Sequence, residues 1–342
     1  MAGPLAGQVA LVAGATRGAG RGIALELAAA GAFVWCTGRS TTGAPATPGR
    51  PETVDETADL IRAAGGEAAA VRCDHTQEIG VATVADRIRA ESGRLDILVN
   101  DIWGGDALID WGAKFWTLDI GAVRTLVDRA VLSHLITARH LAPLMIEGKR
   151  GLIVEVTDGE LPGYRGQLLY DLVKAAVIRM AYAMAWDLVG TGVTALALSP
   201  GFLRSEAVLD SLGVTEANWR DGVEKSHDFA YSETPRYIGR AIVALAADPA
   251  IAAKAGRAFF VDDLAPDYGF TDVDGAQPHF WRNMDAWLEP HLDGEGELDP
   301  NVRWIAGARY AQIHLSRDRR DLAQRLARRL GLTDLPPGLA PS

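Results

Sequence analysis

The sequence predicts a doubly wound α/β fold, a parallel sheet of about seven strands with a C-terminal extension, and three observations carry that reading. Short apolar runs alternate with longer helical patterns from Gln8 onward. The runs are continuous rather than alternating in polarity, as in strands buried on both faces of a parallel sheet. A glycine cluster follows the first run directly and opens the first helix, the junction that defines nucleotide-binding α/β sheets. With 342 residues, 48% of them hydrophobic, the chain can bury a sizeable core as one large unit or two.

Strands are expected at Val9–Ala13, Phe33–Thr37, Ala69–Cys73, Leu95–Val99, Leu152–Val156, Val193–Leu198 and Ala258–Val261. Helical patterns fill the intervals at Gly20–Ala30, Glu78–Glu91, Ala122–Met145, Leu168–Val189 and Pro235–Ala247. Such alternation implies right-handed crossovers. Residues 40–51 read as a Pro/Gly/Thr loop, and residues 103–119, with Trp103, Trp111, Phe115 and Trp116, as a long connection after the fourth strand. The βα rhythm stops near residue 266, which divides a unit of residues 1–265 from an extension of residues 266–342. The extension holds an acidic stretch (Glu289 to Asp299) and a helix-like segment, Leu315–Leu330, in which Leu322, Leu326 and Leu330 form an apolar face. Its aromatic residues, Trp281 and Trp287, suggest packed segments that cover the substrate side of the sheet or reach a neighbouring subunit.

Composition excludes several classes. A formal charge of -10 argues against a nucleic-acid binder. The two cysteines, Cys36 and Cys73, sit in strand-like runs and read as buried thiols, not as a disulfide framework. The N-terminus has no basic stretch before its first strand and is not expected to be a signal peptide. No run of about 18 apolar residues indicates a membrane span. A cytoplasmic protein is expected.

The turn after the first strand reads Gly14-Ala15-Thr16-Arg17-Gly18-Ala19-Gly20. Glycines there let the backbone turn tightly and approach a pyrophosphate, whose charge a helix N-terminus favours. The second strand ends Cys36-Thr37-Gly38-Arg39, with no carboxylate to accept hydrogen bonds from a ribose. Arg39 and Arg17 suit a 2′-phosphate instead, so the expected cofactor is NADP(H). Farther on, Tyr170 and Lys174 stand four apart at the start of a helix and share one face. An ammonium beside a phenol favours proton transfer from it.

With these motifs the chain resembles the short-chain dehydrogenase/reductase family over roughly residues 5–265. The resemblance implies a Rossmann-like sheet and a dimer or tetramer. It makes Gly14 to Gly20 the cofactor turn and Asp74, before His75 and Thr76, the acid that meets the adenine. It also makes Asn100 the first residue of the family's Asn-Asn-Ala-Gly motif, from which Asp101-Ile102-Trp103 departs. Tyr170 becomes the proton donor, and Lys174 the residue that binds the nicotinamide ribose and lowers the tyrosine pKa. Pro200-Gly201 would flank the nicotinamide, and Ser205 stands where the family often has threonine. Two departures follow. No serine lies between Ser133 and Ser199, so the place of the catalytic serine falls to Thr157 by spacing or to Asp158 by strand alignment. Thr157 is the more conservative, as a hydroxyl. The family's helix asparagine is missing, and His134, a few residues off that place, reads as a packing residue.

The expected function is hydride transfer between NADP(H) and a carbonyl or alcohol, with Trp103, Trp111 and Trp116 walling a pocket for an apolar or aromatic small molecule. Two alternatives stay open. One is imine reduction or a non-redox step on the same fold; the other is a nucleotide-binding regulatory protein that has lost the reaction.

Overall fold

Seven parallel strands form one sheet in the order β3-β2-β1-β4-β5-β6-β7. The computed structural model describes residues 3–159, 163–294 and 296–332. In chain order the elements are β1 (Val9–Ala13), α1 (Gly18–Ala29), β2 (Phe33–Gly38), α2 (Val54–Ala63), β3 (Glu67–Arg72), α3 (Glu78–Glu91), β4 (Ile97–Asn100), α4 (Ile120–Val127), α5 (Ser133–Glu147) and β5 (Gly151–Val156). There follow α6 (Leu168–Asp187), β6 (Val193–Ser199), α7 (Glu206–Leu212), α8 (Pro235–Ala247), β7 (Ala258–Phe260), α9 (Val261–Tyr268), α10 (Phe280–Leu292), α11 (Pro300–Ile313) and α12 (Arg320–Leu330).

The strands are apolar throughout because both faces are covered. Along β1, Ala10 and Val12 join Ile23, Leu27, Tyr237 and Ile242 of α1 and α8, while Leu11 and Ala13 join Val84, Ile88 and Leu141 of α3 and α5. Successive side chains thus serve opposite layers, as the strand period of two requires. Cys36 and Cys73 are both buried and free, and burial pushes each thiol up to about 12. Sheet order reverses at β1, where β2 lies on one side and β4 on the other. Ala13 is level with both Thr37 and Asn100, so the crevice opens beyond the carboxyl ends of these strands, where ligands bind in such sheets.

Several boundaries move from the sequence reading. The fourth strand begins at Ile97, just after Asp96, whose carboxylate accepts the Val9 amide (2.9 Å) and whose own amide donates to Val9 O (2.8 Å). The third starts earlier and ends at Arg72. The long helix expected over 122–145 is α4 and α5 joined through one wider π turn, Asp128–Leu132. The segment Leu315–Leu330 is helical only from Arg320, after extended backbone at Ser316 and a short 3-10 turn. Residues 333–342 of the extension, and Glu295 in its acidic stretch, lie outside the described residues.

Helices α10 to α12 build their own apolar cluster from Met284, Leu288, Ile305, Tyr310, Ile313 and Leu326. The Tyr164 amide donates to Ala311 O (3.0 Å), the Phe202 and Phe280 rings lie 6.0 Å apart, and those of His227 and Trp287 4.5 Å. The extension therefore sits against the loop before α6 and the segments after β6, beyond the carboxyl ends of the central strands.

Candidate active site

The glycine turn is shaped by close backbone approaches. Gly14 has φ +97°, and a Cβ on it would stand 2.3 Å from Asp101 O; one on Gly20 would stand 2.3 Å from Gly14 O. No other residue type fits those two places. Arg17 precedes α1 without capping it, so the first-turn amides face the crevice. One of them, Gly18 N–H, donates to the Glu206 carboxylate (2.8 Å) at the start of α7. That carboxylate lies at a helix N-terminus, where the backbone amides favour an anion.

The Arg39 guanidinium packs against Gly104, where a Cβ would stand 2.9 Å from it, and Arg129 donates to the Gly104 carbonyl (2.9 Å). Burial and the Arg129 charge lower the Arg39 pKa, against Asp74. These residues, with Thr76 and Gln77, line a cavity of about 330 Å³. Burial pushes the Asp74 carboxyl up, but hydrogen bonds from the Thr76 amide and hydroxyl (3.0 and 2.7 Å) outweigh it and hold it low. Arg17 lies 3.6 Å from Asp106. His75 is turned into the core: its ring joins Thr37 Oγ1 (2.9 Å) to Thr137 Oγ1 (2.8 Å), and burial lowers it to about 4. Only its backbone can face the crevice. Ser205 caps α7 beside Gly18, and Gly201 packs against the Glu233 carboxyl.

Asn100 donates to Glu155 Oε1 (2.7 Å), and Glu155 Oε2 meets His134 Nδ1 (2.6 Å). The other His134 nitrogen meets Ile102 O (3.0 Å), so this buried network holds the backbone just after β4. His134 thus packs and anchors. Glu155 was missed by the sequence reading, although a carboxylate in the middle of Leu-Ile-Val-Glu-Val signals a buried partner. Asp101, in the departed motif, was also missed. Burial raises it to about 7, opposed by Lys174 and His134.

The reactive pair lies at the end of β5. Gln167 caps α6 by accepting the Tyr170 amide (2.8 Å), which starts the helix so that Tyr170 and Lys174 fall on its crevice face. The Tyr170 hydroxyl donates to Asp158 Oδ2 (2.7 Å), whereas Thr157 is buried and donates to Lys174 O (2.9 Å). The Ser199 hydroxyl accepts the Gly159 amide (2.8 Å) and fixes the turn that carries Asp158. Arg165 donates to the Asp158 carbonyl and pairs with Asp171 (2.8 Å). Lost solvation, the Asp158 charge and the hydrogen bond to it push the Tyr170 phenol well above its ordinary range. The direction is opposite to the lowering that the resemblance implies. Burial lowers Lys174, against Asp158 and Asp101.

Trp103 and Trp111 lie 5.7 and 5.1 Å from the Tyr170 ring, and Lys174 Nζ sits 4.5 Å over Trp103. Trp116 is not with them: it pairs with Phe115 (4.9 Å) and is 71% exposed. The set brings a buried phenol and a buried ammonium together beside a glycine turn whose helix N-terminus already holds a carboxylate.

Comparison with known proteins bears on the family and the fold. The family model for short chain dehydrogenase matches residues 8–212. The human protein "Dehydrogenase/reductase SDR family member 1" is 33% identical over 303 residues, 87% of this chain and 93% of its own. The 3-oxoacyl-[acyl-carrier-protein] reductase of Synechocystis is 30% identical, over 75% of this chain and 96% of its own. A solved 7α-hydroxysteroid dehydrogenase, complexed with NADH and 7-oxo glycochenodeoxycholic acid, superposes with TM-score 0.60 at 25% identity, over 80% of this chain and 96% of its own. Among the described residues no helix is long and apolar enough to cross a membrane. The chain belongs to the short-chain dehydrogenase/reductase family, and it is an oxidoreductase of that family.

Proposed function

We propose that this protein is an NADP(H)-dependent oxidoreductase in which Tyr170 exchanges a proton with a small apolar or aromatic substrate. The observation that carries the reading is the Tyr170–Lys174 pair, one helical turn apart, beside a glycine turn whose helix N-terminus already holds a carboxylate. Bound NADP(H) would supply or accept a hydride at its nicotinamide. The residues present fit it. Gly14, Thr16, Gly18 and Gly20 leave room for a pyrophosphate against the α1 amides. Arg39 and Arg17 suit a 2′-phosphate, and the Arg39–Arg129 repulsion would be relieved by such an anion. Asp74 faces the same cavity and suits the adenine, with the His75 backbone beside it. Asn100, Pro200, Gly201 and Ser205 would border the nicotinamide end.

Lys174 would hold the ribose while Tyr170 gives or takes the proton. In the serine's place we put Asp158, because it meets the Tyr170 hydroxyl and Thr157 does not. Trp103 and Trp111 would wall the substrate. The extension would cover that side, and the protein would work in the cytoplasm as a homodimer or homotetramer, with no nucleic-acid or membrane partner. The test is NADPH oxidation by the full-length protein against ketones, aldehydes, quinones and imines. Turnover of any of them supports the reading. Tight NADPH binding with no turnover across the panel would favour a regulatory nucleotide-binding protein instead.

A further inference from the structure

A hydride acceptor that becomes an alkoxide needs hydrogen-bond donors at its oxygen, because negative charge builds there. The reactive end of this site is poorly provided with them. The Tyr170 hydroxyl is given to Asp158, and the Thr157 hydroxyl to the carbonyl of Lys174. A carboxylate accepts and does not donate, so Asp158 would repel an oxygen on which negative charge grows.

The surrounding charges lean the same way. The Lys174 ammonium is under the influence of three carboxyls, Asp158, Asp101 and Asp106. Arg165 is paired with Asp171, and Arg17 stands 3.6 Å from Asp106. Asp158, Asp106 and Asp171 already match Lys174, Arg165 and Arg17 one for one, so any ionised fraction of Asp101, raised to about 7 by burial, tips the site to the acidic side. Asp106 also accepts from Trp103 Nε1 (2.6 Å), which enriches the indole face in electron density. Lys174 occupies one face of Trp103, whereas Trp111 lies 5.1 Å from Tyr170 and is 62% exposed, so its ring is open to a ligand. A carboxylate near one open indole ring, that of Trp111, is an arrangement that attracts an organic cation.

We infer that the substrate of this site carries its positive charge at the reacting group: a protonated imine or N-alkyl iminium, with C=N⁺ set against Asp158 and walled by Trp103 and Trp111. The step balances without an external acid. Hydride from a dihydronicotinamide bonds to the C=N carbon, and the π pair becomes the nitrogen lone pair. The cationic charge is cancelled, a neutral amine leaves, and the oxidised nicotinamide takes the positive charge. This inference rests on the hydride-transfer reading above, but its charge argument can be tested without turnover.

The probes are 2-methyl-3,4-dihydroisoquinolinium and 1-tetralone, which share a bicyclic skeleton and differ in C=N⁺ against C=O. Calorimetric titration of the full-length protein should give the cation a Kd at least tenfold below that of the ketone. Asp158→Asn should erase most of that difference, bringing the Kd values of the cation and the ketone within about threefold of each other. Asp158→Ser, which restores a hydroxyl donor, serves where the amide variant does not fold, and should shift the kcat/KM ratio from the iminium towards the ketone. Circular dichroism checks that each variant is folded. Asp158-dependent cation binding with no NADPH oxidation would retain the charge inference and reject the hydride-transfer reading. NADPH oxidation with tetralone at least as efficient as with the iminium, or equal Kd values for the two probes, overturns the inference and leaves hydride transfer standing. Absence of cation binding also overturns it.

Discussion

The two ends of the crevice are built on different principles. At the phosphate end the shape is made by backbone: Gly14, Gly18 and Gly20, the α1 amides and the level ends of β1, β2 and β4. At the reactive end it is made by side-chain charge, with Asp158 on the Tyr170 hydroxyl and the buried Asp101 near Lys174. The first end is fixed by backbone sterics, while the second is set by carboxylates and the groups that pair with them. A backbone cradle tolerates little substitution because a single Cβ collides with a carbonyl. A polar wall can be rebuilt residue by residue, provided each new charge finds a partner, as Asp158 does in Tyr170.

The largest effect that sharpens this comparison is at Tyr170. We expect Tyr170→Phe to lower kcat/KM on the best carbonyl substrate of the panel by about 10²-fold or more, the scale of lost acid–base catalysis, with the NADPH Kd within about twofold by fluorescence titration. Thr157→Val should behave quite differently. It removes a buried hydroxyl from the Lys174 carbonyl, which costs about 1 kcal/mol of stability, read as a lower Tm, with the rate within about threefold. A hundredfold rate loss in Thr157→Val with an unchanged Tm would return the serine's role to the threonine.

At the other end, the 2′-phosphate should separate the two nicotinamide cofactors. With Arg39 and Arg17 in place, NADPH is expected to bind at least tenfold more tightly than NADH, about 1.4 kcal/mol. Replacing both arginines by alanine should bring the two Kd values together in the same titration. Equal affinities in the wild-type protein would refute the assignment of these arginines.

How far the sequence could be read follows the same division. The apolar runs and the glycine turn located the seven strands and the crevice, because burial on both faces and close backbone approach leave a trace in residue type. Tyr170 and Lys174 were visible because helical spacing puts them on one face. The Asp158–Tyr170 hydrogen bond was not visible: spacing and strand alignment gave two different residues, and only the turn held by Ser199 decides which side chain faces the phenol. The His75 ring, adjacent to Asp74 in sequence, points the other way because Thr37 and Thr137 receive it across two elements. Trp116 leaves the other two indoles for a local reason, since it packs edge-on against its neighbour Phe115. The directions of Asp158 and His75 are set by contacts between distant segments, which leave no periodic signal.

The smallest predicted effect concerns Glu206, which links the two ends. Its carboxylate takes the Gly18 amide at the N-terminus of α1, the place a pyrophosphate would need, and it stands at the first turn of α7, which follows the Pro200–Gly201 segment. An anion at that helix terminus is stabilised by the partial positive charge of the unpaired amides, so Glu206 and the cofactor's phosphate compete for it. Glu206→Gln keeps the length and can still accept a hydrogen bond but loses the charge. The variant should therefore bind NADPH more tightly, by roughly two- to fivefold, in line with a helix-terminus charge worth about 0.3–1 kcal/mol. The gain should be largest at low ionic strength and shrink as salt screens the carboxylate in the wild-type protein. The α7 segment should also become more susceptible to limited proteolysis in the cofactor-free variant, because the contact tying it to the glycine turn is weakened. If Glu206→Gln instead weakens NADPH binding, the carboxylate is part of the bound arrangement rather than its competitor, and the phosphate must sit elsewhere along the turn.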